Sequence, residues 1–169
     1  MTGIVAQIIS IAGMGLNILS YQCKKDRHLL FMLGAAGLMF FISFTLLGSA
    51  VSAWYNLINV VRIAAILNKK THTKPMFWVM CAVYTLVGVL AYDGPWGFAL
   101  LFSQYVGTYA TWFKDGATIR KLQSLLLSPI WLINNSLIVF SLGGILCEAF
   151  SIISVIISFV RYGKQGFEA

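Results

Sequence analysis

The sequence predicts an all-α polytopic membrane protein with seven transmembrane helices, built as a three-plus-one-plus-three parallel repeat. Three observations carry that expectation. Of the 169 residues, 59% are hydrophobic and only 10% are charged, whereas a soluble domain is roughly 25% charged. The apolar residues fall into seven runs, each near the ~20 residues that a spanning helix needs. All twelve Lys and Arg residues fall on one side of the array those runs make. A chain this apolar, with a mean hydropathy of +0.84, cannot hide its surface in one globular core, and lipid is its natural solvent. The net charge of +7 does not point to nucleic acid, because no basic stripe lies on a soluble face.

The first run covers residues 3–22 and carries Gln7, Ser10 and Asn17 along one face. It has no basic n-region and no A-x-A-like site, so it reads as a retained helix rather than a cleaved signal. The basic loop CKKDRH (23–28) leads to the second run, 29–47, which contains Gly34. A short GSA turn (48–50) opens the third, 50–67, with Asn56, Asn59 and Arg62 inside it. The basic loop NKKTHTK (68–74) precedes the fourth, 75–92. The DGPWG turn (93–97) precedes the fifth, 97–113, where Gln104, Thr108 and Thr111 share a face. KDGATIRK (114–121) leads to the sixth, 122–141, with Pro129, Trp131, Asn134 and Asn135. LGG (142–144) opens the seventh, 143–161, with Glu148, Ser151, Ser154 and Ser158.

The loops alternate between basic and uncharged-or-acidic. The positive-inside rule then predicts an N-terminus outside and a C-terminus inside, in one multi-pass unit. Shifting the sequence by 95 residues lays LGSAVSAWYNLINVV (47–61) on LGGILCEAFSIISVI (142–156). Residues 1–67 and 97–161 then form two three-helix repeats joined by a linker helix at 75–92, an arrangement associated with sugar transporters of the SWEET type.

The polar residues inside the runs are the candidate site. Asn56 and Asn59 are spaced i, i+3 and share a helix face. Unpaired amides in hydrocarbon cost several kcal/mol, so they should face the bundle interior. Ser151 and Ser154 form the matching stripe in the second repeat, and Asn17, Trp131 and Asn135 complete a polar lining near the midplane. An amide both donates and accepts, which suits a small neutral or amphipathic solute. Arg62, near the inner end of its run, is either an inner gate or a cation snorkelling to the headgroups. Pro129 removes a backbone hydrogen bond and frees the Leu125 carbonyl. With its repeat mate Gly34 it marks a candidate hinge at each inner half. Glu148 sits near the outer end of its run, so a direct Arg62–Glu148 ion pair is not expected.

No two carboxylates share a face, no His/Cys/Asp cluster exists and no Gly-x-Ser-x-Gly occurs. Catalytic residues, metal sites and cofactors are therefore not expected. The expected function is a small-solute transporter or facilitator. The alternative is a membrane scaffold or accessory subunit.

Several of these residues also carry a family resemblance. The LLG at 46–48, the Asn59-x-x-Arg62 spacing, TIR at 118–120, Trp131, Asn135, Gly143-Gly144, Glu148 and Arg161 together resemble the bacterial inner-membrane YgjV family. The resemblance implies a multi-pass protein of the bacterial inner membrane and no particular activity. The architecture is also similar to that of SWEET and PQ-loop transporters. The chain departs from them in lacking any Pro-Gln dipeptide, and only Pro129 matches one of their hinge prolines.

Overall fold

The computed structural model describes residues 2–23, 25–68, 70–91 and 94–162. Arg161 and Ser158 keep their helical backbone there, but their side chains lie outside the described residues, as does all of Lys164. Every regular element among the described residues is helical. The helices are α1 (Thr2–Tyr21), α2 (Asp26–Leu46), α3 (Ala50–Leu67), α4 (Lys74–Leu90), α5 (Trp96–Phe113), α6 (residues 116–138) and α7 (Leu142–Tyr162).

Three of them, α1 to α3, are long and apolar enough to cross a membrane, over Gly3–Ser20, Asp26–Leu46 and Ala50–Leu67. In hydrocarbon the backbone must satisfy its own hydrogen bonds, which leaves the helix as the available form. The later helices are less uniformly apolar for a visible reason. On α5 the side chains of Ser103, Gln104, Thr108 and Thr111 are buried, while Phe98, Phe102, Tyr109 and Phe113 are exposed. That distribution is the inverse of a water-soluble helix.

The helix ends follow from local chemistry. Gly48, at φ +80°, ends α2. Its N–H donates to Thr45 O at 3.2 Å and the Ser49 N–H donates to Phe44 O at 3.0 Å, the paired bonds of a Schellman cap. Thr73 caps α4 by accepting from Met76 N at 3.4 Å, ahead of Pro75 in the first turn. Asp115 caps α6 by accepting from Thr118 N at 2.8 Å. That bond, with the Thr118 hydroxyl, holds the Asp115 carboxyl below the usual carboxylate range.

Helix α2 packs between α1 and α3, and α6 packs between α5 and α7. Helix α4 lies outside, touching α3 and α5, with only Met80 and Tyr84 buried. The bundle closes through α3 against α5 and α1 against α7. The α1–α7 approach is close at Gly143, where an added Cβ would run into the Ser10 carbonyl.

Gln7 and Ser10 cap the start of α7. Gln7 Nε2 donates to Phe140 O and Gln7 Oε1 accepts from Leu142 N, both at 2.8 Å, and Ser10 Oγ accepts from Gly143 N at 3.1 Å. The first N–H groups of a helix have no partner of their own and take these side chains instead. Phe140 holds a left-handed φ of 55° in this turn, which a non-glycine residue rarely adopts. Gln7→Leu leaves the Phe140 carbonyl and the Leu142 N–H without partners. It is expected to lower stability by about 1–3 kcal/mol, measured as the loss of thermal midpoint in detergent.

Candidate functional site

A polar cavity of about 80 Å³ lies inside the bundle. Every helix except α4 contributes to its lining. Asn17 comes from α1, Gly37, Phe40 and Phe44 from α2, and Tyr55, Asn56, Asn59 and Arg62 from α3. Gln104, Gly107 and Thr111 come from α5, Gln123, Trp131 and Asn135 from α6, and Glu148 from α7. At about 10–15 Å³ for each water-sized sphere, this is room for a handful of heavy atoms. A hexose does not fit it in this conformation.

Arg62 is 5% exposed, so it does not snorkel to a membrane surface. Its Nη1 donates to Thr108 Oγ1 at 2.8 Å, and its Nη2 donates to Asn59 Oδ1 at 2.5 Å. The guanidinium also lies 5.9 Å from the Tyr84 ring centroid, within cation–π range. It packs over Gly107, where an added Cβ would stand 3.4 Å from Nη1. Its Nε–H is buried and has no partner among the described residues.

Helix α6 changes pitch twice. Gln123–Leu127 and Asn134–Ile138 are π-helical, on either side of the α-helical Ser128–Ile133. The first wide turn ends with Ser128 N donating to Gln123 O, just before Pro129, whose nitrogen cannot donate. The expected break at Pro129 therefore takes the form of a change in helix type within an unbroken helix. The second wide turn carries both Asn134 and Asn135, 1% and 2% exposed, into the interior. Such turns are rare and concentrate at functional sites. Asn134 Nδ2 donates to Ser52 Oγ at 3.1 Å. The Asn135 amide lies against Gly144, where an added Cβ would fall 2.6 Å from its Cγ.

Glu148 stands one turn beyond Gly144 on the same face of α7. It is 8% exposed, and its Oε2 has no partner among the described residues. The Ser128 hydroxyl faces this carboxyl from outside hydrogen-bonding geometry. Arg62 and Glu148 form no ion pair, in agreement with the sequence expectation, yet they line one cavity.

Of the residues singled out in the sequence, Asn17, Asn56, Asn59, Arg62, Trp131 and Asn135 meet at the cavity. Asn56 Nδ2 also donates to Ser52 O at 2.9 Å. The Trp131 ring stacks on Phe44 at 6.3 Å between centroids, so one face of the indole is already taken. Ser151 and Ser154 do not line the cavity. Ser151 is buried and donates to Cys147 O at 3.0 Å, and Ser154 is exposed. Gly34 sits inside an unbroken α2, where an added Cβ would come 3.3 Å from Ile63 Cγ2, so its missing side chain serves close packing. Trp112 is buried under His72, whose Nε2 meets Trp112 O at 3.0 Å.

Leu46 and Ile138 end their helices, Gly48 and Phe140 hold the left-handed turns, and Ala50 and Leu142 begin the next helices. Each pair is 92 residues apart, not 95. The 95-residue shift sets Gly48 against Gly143, whereas the left-handed turn before the last helix is held by Phe140. A shift of 92 residues would set Asn56 against Glu148, Asn59 against Ser151, and Gly37 against Pro129. Glu148 and Gln123 are the lining residues that the 95-residue shift and the unforeseen π turn concealed.

A second groove, about 660 Å³, opens outward between α4, α5 and α6 along Phe77, Trp78, Cys81, Thr85, Tyr105 and Tyr109. Its walls are hydrocarbon and aromatic, suited to lipid chains rather than to a polar solute. No group of three or more His, Cys, Asp and Glu able to hold a metal ion occurs among the described residues.

No curated protein and no solved structure matches the chain. The family described as Imp-YgjV, bacterial inner membrane protein, matches residues 4–166. With nearly the whole sequence covered and an inside-out distribution of polarity in its helices, the chain belongs to this bacterial inner-membrane family.

Proposed function

We propose that the protein is a small-solute transporter or facilitator. One observation carries this reading: a buried cavity to which six helices contribute and in which four polar atoms on four helices lack partners among the described residues. These are Asn17 Oδ1, Arg62 Nε, Asn135 Oδ1 and Glu148 Oε2. Buried polar groups are ordinarily hydrogen-bonded, so this concentration of unmet ones suits a site that a solute fills. In this reading, passage requires α6 to move at its π turns and Pro129, with Arg62 at one mouth.

In this reading all seven helices cross the membrane, with the N-terminus outside and the C-terminus inside. The two three-helix units are related by an internal repeat. The packing order supports the repeat. Exchanging α1, α2 and α3 for α5, α6 and α7 turns the α3–α5 contact into the α7–α1 contact and keeps each middle helix between its neighbours. In a cysteine-free background, Pro95→Cys is expected to label from outside only and Lys70→Cys from inside only. Equal labelling of the two discards this topology.

Asn59→Cys in the same background tests the function directly. A transporter opens the cavity to each side in turn, so small thiol reagents added on either face should modify position 59. The competing reading, a scaffold or accessory subunit, draws on α7, where Ile153, Ser154, Ile156 and Ile157 are all exposed. A scaffold leaves the thiol introduced at position 59 unreactive from both faces.

A further inference from the structure

The unmet groups in the cavity differ in kind, and the difference identifies a class of solute. On the donor side is one guanidinium edge. Arg62 spends one Nη1 proton on Thr108 and one Nη2 proton on Asn59. A guanidinium has five N–H donors, so three remain, one on each Nη and that on Nε, and Nε with its neighbouring Nη forms an open edge. That edge takes a carboxylate through two parallel bonds. On the acceptor side are three oxygens without partners among the described residues, Asn17 Oδ1, Asn135 Oδ1 and Glu148 Oε2. Asn135, on α6, lies against the face of α7 that carries Glu148, since its amide rests on Gly144 and Glu148 follows one turn later. A primary ammonium has three N–H donors.

The charges lead to the same class. Arg62 and Glu148 are each more than nine-tenths buried, and neither faces an opposite charge among the described residues. Burying an ion without a partner is costly. A second cation or anion would relieve one of them and leave the other. A molecule carrying both charges relieves both and adds no net charge to the membrane interior.

Building on the transporter reading, we infer that the solute is a small zwitterion with a primary ammonium and a carboxylate, of amino-acid size. Its carboxylate lies on Arg62 and its ammonium lies among Glu148, Asn135 and Asn17. The cavity of about 80 Å³ admits about five to eight heavy atoms in this conformation. A sugar is a poor complement, because hydroxyl groups neutralise neither charge.

The test is a thermal-shift and equilibrium-binding series on the purified full-length protein. The zwitterionic probes are glycine, alanine, β-alanine and γ-aminobutyrate, which lengthen the spacing between the charges. The controls are acetate, methylammonium, trimethylglycine and glucose. At least one of the four amino acids is expected to stabilise saturably at millimolar concentration, with acetate and methylammonium inactive singly. Trimethylglycine, which keeps both charges but has no N–H donor, is expected to bind at least tenfold more weakly. Arg62→Gln and Glu148→Gln are each expected to weaken binding roughly 100-fold, the usual loss when one partner of a buried charge pair is truncated. The control series on the unaltered protein decides the matter even where a variant folds poorly. Stabilisation by glucose or by a single ion, with the amino acids inactive, overturns the zwitterion and leaves transport standing. So does silence of all probes while the Asn59→Cys variant still reacts from both faces. Silence together with an unreactive thiol at position 59 overturns both readings.

Discussion

Gly143→Ala is expected to prevent stable assembly of the bundle, although alanine is the better helix former. In a helix interior the exchange would gain up to about 1 kcal/mol from propensity alone. At position 143 the added methyl meets the carbonyl of Ser10 on α1, which is main chain and cannot rotate away. Overpacking a filled interface costs about 1–3 kcal/mol and at times more. Separating α1 from α7 would also stretch the Gln7 and Ser10 bonds that cap α7. The expected sum is a loss of at least about 3 kcal/mol, read as aggregation in size-exclusion chromatography and a collapsed thermal midpoint. Gly15→Ala is the internal control, since nothing lies within 4 Å of a Cβ there. It should leave stability unchanged or slightly higher. Equal behaviour of the two variants would remove the α1–α7 contact from the account.

That contact was only partly legible in the sequence. The existence of each helix was, because the apolar runs are long and hydrocarbon leaves the backbone few alternatives. The run at 50–67 coincides with α3, Ala50–Leu67. Helix α6 starts at Gly116, six residues before the apolar run at 122, because its first turns are capped by Asp115 and contain the polar TIRK stretch. Its π turns left no trace in the sequence, since a hydrophobic pattern reports a face and not a hydrogen-bond register. Inward placement of Asn17, Asn56, Asn59 and Asn135 was legible from the cost of an amide in lipid. The partners of Arg62 were not, for Thr108 stands 46 residues away on a helix whose neighbours only the fold decides. Glu148 was not legible either, because the 95-residue shift set it opposite Ala53, near the outer end of its run.

Arg62→Met is expected to separate structure from function at this site. Methionine keeps much of the length and volume of the arginine stem and adapts to irregular spaces. Removing the guanidinium deprives the Asn59 amide oxygen of its short bond, at about 1–3 kcal/mol. Thr108 loses less, because its hydroxyl already donates to Gln104 O at 2.6 Å. Against this stands the desolvation of a buried cation without a counter-charge, which replacement by an apolar residue relieves, often at a net gain of about 1–4 kcal/mol. The two effects are of similar size and opposite sign, so unliganded stability should stay within about 2 kcal/mol of the parent protein. Function has no such compensation. The donor edge is gone, and uptake into proteoliposomes of whichever solute stabilises the parent protein should fall by roughly 100-fold or more. Loss of folding with binding retained per folded molecule would make Arg62 a packing residue. Unchanged uptake would remove it from the solute's path. A folded, inactive variant is the outcome that a buried guanidinium with two hydrogen-bond partners and one vacant edge predicts.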